Sequence, residues 1–199
     1  MRHWTFHPLF LYPCMAAIAI ALILLSLRPD FALGAPAPQV GRVNGGAVIL
    51  QGAALSQPEV QPDEVVHVLR DSWGRPSSIR IAVLPNQPAP GPADTGVRFL
   101  LDPQTAAAVA GKPVTLEITL RPVFITSAAS LAASLQGAGP AEWKTQEVSP
   151  QAQIVRFDFP SVEGLQAVGL RPISNYADYN YGFEIVRIRI APNDTASGR

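Results

Sequence analysis

Three histidines, one cysteine and fifteen carboxylates are what this chain offers for chemistry, and their spacing argues against most of it. His3 and His7 stand four apart, so on a helix they would share a face, as metal or haem ligands do. They have no third partner in sequence and read as a solvated pair ahead of an apolar run. His67, within Val65-Val66-His67-Val68, reads as the outward residue of a strand. Cys14 lies alone in a hydrophobic segment. A zinc site needs four ligands and a Cys–His nucleophile needs its partner, so no metal or cofactor is expected. The chain has no Gly-x-Ser-x-Gly, no phosphate-cradling glycine loop and no close carboxylate pair. Glu142, Glu147, Asp158 and Glu163 are acids that separate strands could bring together, as in glycosidases. The reading is a protein that is not an enzyme.

Recognition chemistry is better represented. Ser174-Asn175-Tyr176-Ala177-Asp178-Tyr179-Asn180-Tyr181 gathers three of the four tyrosines with two Asn and one Asp. Tyrosine rings stack on the apolar faces of sugars, while amides and carboxylates bind hydroxyls. Asn175, Tyr176, Asp178, Tyr179 and Asn180 are therefore candidate ligand contacts. Tyr179 and Asp178 are expected to point outward and Tyr181 to pack inward. The same composition also suits a long hairpin loop that packs on the domain edge. Trp73, in Asp71-Ser72-Trp73-Gly74-Arg75-Pro76, and Trp143 read first as core-edge residues and second as ligand platforms. Nucleic acid is excluded as a partner: beyond Arg28 there are 13 basic against 15 acidic residues, with no cationic excess to neutralise phosphates.

These residues need a scaffold, and the chain supplies one behind a hydrophobic segment. Pro8 to Leu27 is a run of twenty uncharged residues, long enough at about 1.5 Å per residue to cross the roughly 30 Å hydrocarbon core. A cleaved signal peptide is the rival. However, the small-residue sites around Leu33 to Ala37 are followed by Pro36 or Pro38, which signal peptidases cut poorly. Residues 1–28 are thus expected to be a signal-anchor in the lipid bilayer, with the C-terminal domain extracytoplasmic, periplasmic in a bacterium. Residues 29–62, rich in Pro, Gly and Ala, read as a linker in which Ala47 to Leu50 lends one edge strand. Residues 193–199 read as a disordered tail.

From Glu64 on the dominant period is two. Val114, Leu116, Ile118 and Leu120 alternate with Thr115, Glu117, Thr119 and Arg121. Ile79/Ile81/Val83, Val97/Phe99/Leu101, Val155/Phe157/Phe159 and Val186/Ile188/Ile190 alternate likewise. Such segments bury one face and wet the other. Val65–Leu69, Leu131–Leu135, Trp143–Val148 and Leu165–Leu170 are weaker strand candidates. Only 102–110 suggests a helix, capped at Asp102-Pro103. Eight or nine strands without crossover helices predict an all-β, antiparallel β-sandwich over residues 63–192.

Three segments carry a resemblance to a known class: Gly111 to Pro122, then Glu142-Trp143-Lys144 with Gln153 to Phe159, then Tyr181-Gly182-Phe183-Glu184-Ile185 to Ile190. This succession resembles the galactose-binding-like jelly-roll domains, to which many carbohydrate-binding modules belong. The resemblance implies a jelly-roll-like sandwich; a ligand does not follow from it, because fold does not fix function. Such modules often expose several tryptophans, whereas this domain has only Trp73 and Trp143. The expected function is non-enzymatic recognition of an envelope glycan or partner protein. The alternative is an assembly subunit of a membrane complex, with Ala16, Ala17, Ala19 and Ala21 as helix-packing surfaces.

Overall fold

Apolar alternation becomes strand, as expected, and the strands pair around the last of them. The computed structural model describes residues 12–20, 41–85, 87–121, 123, 126–149, 151–174, 179 and 181–193. Two units separate, Met1–Ala37 and Pro38–Arg199. In the first, residues 12–20 are helical, with Tyr12, Met15, Ile18 and Ile20 exposed. Among the described residues no helix is long and apolar enough to cross a membrane. The remainder of the expected anchor lies outside them, as do residues 21–40 and the tail beyond Asn193.

In the second unit the elements run β1 (Arg42–Asn44), β2 (Ala47–Gln51), a 3-10 turn (Gly52–Leu55), β3 (Glu64–Arg70), β4 (Pro76–Val83) and β5 (Val97–Leu100). A short helix (Pro103–Val109) follows, then β6 (Val114–Arg121), β7 (Ser130–Gln136), β8 (Glu142–Glu147), β9 (Gln153–Phe159), β10 (Ala167–Ile173) and β11 (Tyr181–Pro192). The helix starts as its sequence predicts. The Asp102 carboxylate accepts from the Gln104 and Thr105 N–H groups, each at 3.0 Å, and Pro103 needs no donor.

All strand pairs are antiparallel, in a seven-stranded and a four-stranded sheet. In the larger sheet β11 is central, with β6 and then β9 along one edge. Along its other edge two strands lie end to end: β4 pairs with Tyr181 to Ile185, and β2 with Arg187 to Ile190. β3 and β1 flank them. The smaller sheet runs β5-β10-β7-β8. Leu116, Ile118, Phe157 and Ile188 from one sheet share a core with Leu131, Val168 and Leu170 from the other. The expected antiparallel sandwich is present.

Three expectations need correction. Among the described residues there are eleven strands, and the segment read as linker supplies β1 as well as the expected strand β2. Val48, Leu50 and Leu55 are buried in the core, so this segment is held by apolar burial and by β11. β2 is also interior to the sheet, with β1 as its edge neighbour. Finally, Val186 does not share the inward face with Ile188 and Ile190. A register shift between Ile185 and Arg187 inserts one residue, so Ile185 and Ile188 both face the core and Val186 turns outward.

The two sheets differ on their outer faces. On the four-stranded sheet, Ala132, Ser134, Gln136 and Arg171 are buried as deeply as the core, because chain covers them. Gln136 Nε2 donates to the Thr95 carbonyl (2.8 Å) and Gln61 Nε2 to Thr95 Oγ1 (2.5 Å). Arg98 Nε donates to Gln136 Oε1 (2.9 Å), and Arg171 Nη2 to Asp63 Oδ2 (2.6 Å). Gly169 is where this roof comes closest: a Cβ there would stand 2.6 Å from Ser134 Oγ and 2.8 Å from the Thr95 carbonyl. On the seven-stranded sheet the outer face carries rows of charge. The register aligns Arg42, Ile49, Arg189, Glu117 and Arg156 across five strands.

Candidate functional site

β2 and β4 meet β11 end to end, and between their ends opens a groove of about 930 Å³. Its walls follow from local sequence. Arg42 and Asn44 sit two apart on β1, hence on one face, beside Ile49 and Gln51 of β2. The chain then leaves β2 through Gly52, whose φ of +58° lies in the left-handed region that favours glycine. That turn brings the Gly52, Ala53 and Ala54 backbone into the wall, while Leu55 is anchored in the core. Arg75, Pro76 and Ser77 form the opposite wall, and the outward-turned Val186 contributes at the bulge.

The turn that delivers Arg75 is tied down on itself. Asp71 Oδ1 accepts from the N–H groups of Trp73 and Arg75, both at 2.9 Å. The Gly74 N–H donates to the Asp71 carbonyl and the Asp71 N–H to the Arg75 carbonyl, also at 2.9 Å. Arg70 Nη1 adds a bond to the Gly74 carbonyl (2.9 Å). On this braced turn Trp73 is 80 % exposed. The core-edge reading of Trp73 is therefore wrong: the turn uses its backbone to satisfy Asp71 and leaves the indole in solvent. Two residues further along, Arg75 lines the groove.

Charge around the groove is one-sided. Among the described residues no carboxylate lines it. The acids elsewhere on the same sheet face are already engaged. Glu117 accepts from Arg156 Nε (2.9 Å) and Arg189 Nη1 (2.8 Å); hydrogen bonds from Arg189 and then Arg156 hold its carboxyl below the usual range. Glu184 accepts from Arg121 Nη1 (2.6 Å) and Ser78 Oγ (2.7 Å). Asp158 accepts from Thr115 Oγ1 (2.6 Å). Arg42 and Arg75 enter no ion pair among the described residues. Arg187 stands opposite Gln51 in the β2–β11 register and is likewise unpaired there.

Of the other residues singled out from sequence, those that are described do not line this groove. Tyr179 is 61 % exposed and precedes Tyr181, which pairs with Val83 at the far end of β4. At about 3.3 Å per residue, that is roughly 20 Å or more from Pro76. Tyr181 packs partly buried against the core. Asn175, Tyr176, Asp178 and Asn180 lie outside the described residues. Trp143 belongs to the edge strand β8 of the other sheet, half-buried, with Nε1 donating to the Asp94 carbonyl (3.3 Å). It lines a hollow of about 530 Å³ with Pro90, Pro92, Pro140, Ala141 and Glu142, and Gly96 leaves room for its ring. His67 is exposed on β3, as its place in the strand predicts. Among the described residues no three His, Cys, Asp or Glu side chains are grouped to hold a metal ion.

Arg42, Asn44, Gln51 and Arg75 escaped the sequence reading because they come from segments that read as linker and turn. The sole signal was Trp73 inside a turn sequence, Asp-Ser-Trp-Gly-Arg-Pro, where a large apolar residue has little core to reach.

No family model matches the chain, and no curated protein matches it in sequence. Solved structures do share similarity of shape. One is the apo form of BiXyn10A CBM1, 12% identical, covering 69% of this chain and 89% of that one with a TM-score of 0.43. A second is the CBM22-1 xylan-binding domain of Paenibacillus barcinonensis Xyn10C, 11% identical, covering 78% and 97% with a TM-score of 0.46. A third is the tandem CBM22-1–CBM22-2 from the N-terminus of the same protein, 14% identical, covering 83% and 50% with a TM-score of 0.44. These neighbours are carbohydrate-binding modules.

Proposed function

We propose that the domain is a non-enzymatic recognition module that holds a saccharide chain in the groove between β2 and β4. The observation that carries this reading is Trp73, an indole left in solvent on a turn braced by five hydrogen bonds, the same turn that delivers Arg75 to a groove with amide, hydroxyl and guanidinium walls. An exposed aromatic ring on a braced backbone has only two side-chain torsions to fix on stacking. Asn44, Gln51 and Ser77 add polar groups suited to sugar hydroxyls. The volume falls within the span usual for ligand sites, about 300–1,000 Å³.

Affinity electrophoresis of the full chain in detergent, through gels containing soluble polysaccharides, tests this directly. Trp73→Ala should lose at least about tenfold in affinity while stability moves by less than about 0.5 kcal/mol, as for other surface sites. Retention equal to the parent on every retarding polysaccharide would refute it.

We further propose that the run Pro8 to Leu27 anchors the module in a bilayer with the domain extracytoplasmic. The uncharged run and the exposed apolar side chains of residues 12–20 support this. The protein should then stay in the pellet after alkaline carbonate extraction and migrate at the full 21.2 kDa. Release into the supernatant, or a mature N-terminus near Gln39, would contradict it.

A further inference from the structure

We infer that the saccharide this groove takes is anionic, a polymer bearing carboxylates such as a uronic-acid chain, and that Arg42 and Arg75 are the residues that select it. The inference rests on the groove reading above and names its ligand class.

The groove carries positive charge that no described carboxylate neutralises. The chain as a whole has equal numbers of basic and acidic residues, so a local cationic excess must be arranged. On the outer face of the seven-stranded sheet, Glu117 is shared by Arg156 and Arg189, and Glu184 is taken by Arg121 and Ser78. Asp71, the acid nearest Arg75 in sequence, turns one oxygen to two backbone N–H groups. Arg42 and Arg75 are thus left in the groove without a counter-charge among the described residues, and Arg187 adds a third positive group beside Gln51. A neutral glycan would use none of that charge. A guanidinium fork matches a carboxylate with two parallel hydrogen bonds, about twice as strong as neutral ones. Trp73, two residues before the groove-lining Arg75, offers the stacking face that a sugar ring, unlike a bare anion, can use. Together these favour a carboxylated sugar over a simple ion.

The test compares polygalacturonate with its fully methyl-esterified form, which keeps ring and hydroxyls and removes the charge, using the full chain in detergent. Neutral xylan and dextran sulfate serve as further probes. Polygalacturonate should bind, methyl esterification should cost at least about tenfold, and 0.5 M salt should weaken binding strongly, since screening then acts within about 4 Å. Arg42→Gln with Arg75→Gln should remove the preference, whereas Arg156→Gln on the same sheet face should keep it. Equal binding of the esterified polymer or of xylan, still dependent on Trp73, would overturn the anionic assignment and leave the saccharide reading intact. Dextran sulfate, which carries sulfates and no carboxylates, bound in place of polygalacturonate would overturn the carboxylate assignment. Equal loss in the Arg156→Gln variant would overturn the groove as the selecting site. Failure of all four polymers to bind would overturn both readings together.

Discussion

The outer faces of the two sheets carry similar side chains to opposite effect. On the four-stranded sheet Arg171, Gln136 and Ser134 lie beneath the segments around Asp63 and Thr95, so their polar atoms must be satisfied by protein. On the seven-stranded sheet Arg156, Glu117 and Arg189 pair in a row open to solvent. The same guanidinium–carboxylate contact therefore does different work. Under the roof, removing one partner strands a buried charge; in the open it removes a screened interaction of small net value. The roofed face holds the fold, and the open face is free to bind.

The core common to both sheets sets the scale. Phe157, 1 % exposed, should cost about 3–5 kcal/mol when cut to Ala, measured by urea unfolding. A change within error would count against the sandwich itself.

Next in size is the contrast between the faces. Arg171→Ala should destabilise by about 3 kcal/mol, because Asp63 and the fully buried Glu64 lose their nearby cation. Arg156→Ala on the open face should cost less than about 1 kcal/mol. Equal losses would erase the distinction.

The pH dependence sharpens it. Burial pushes the Glu64 carboxyl up to about 7; the Gln61 N–H and Arg171 offset this in part, while Asp63 and Asp94 add to it. The folded chain keeps that proton where the unfolded chain, at the ordinary 4.5, has released it. Stability from Glu64 is therefore fully present below about pH 4.5 and lost as pH rises through about 7, by up to roughly 3 kcal/mol. Thermal midpoints should fall between pH 5 and about 7.5, and Glu64→Gln should flatten the slope. A slope unchanged in that variant would place the titrating group elsewhere.

Smallest of all should be Tyr179→Ala, with a stability change under about 0.5 kcal/mol and, given its place at the far end of β4, unaltered saccharide binding. A loss of binding would move the site to the tyrosine-rich loop.

What could be read from sequence follows the same division. β6 and β9 alternate cleanly because one face meets the core and the other is more open to water; β4 and β11 alternate in sequence, and all four were legible as strands. β7 and β10 are buried on both faces, so Ser130 to Gln136 and Ala167 to Ile173 show no period-two contrast and read weakly. Of the β1–β2 hairpin, Ala47 to Leu50 was legible as an edge strand, whereas β1 and the core place of Val48 and Leu50 were hidden by a setting of Gly, Pro and Ala. Val186 was misplaced because a bulge leaves alternation intact in sequence while breaking it in space. The groove was illegible for a further reason. It exists only where β2 and β4 abut on β11, a junction between segments far apart in the chain. Trp73 was visible as a residue, but whether its turn buried or exposed it depended on Asp71 bonding the backbone.

The most direct test of the open face as the binding face is oxidative footprinting of Trp73 and Trp143 in the full-length chain, with and without polygalacturonate. Free protein should oxidise rapidly at Trp73 and slowly at Trp143, and the polymer should protect Trp73 alone. Protection at Trp143 with Trp73 still reactive would place the ligand on the proline-lined hollow and contradict this account.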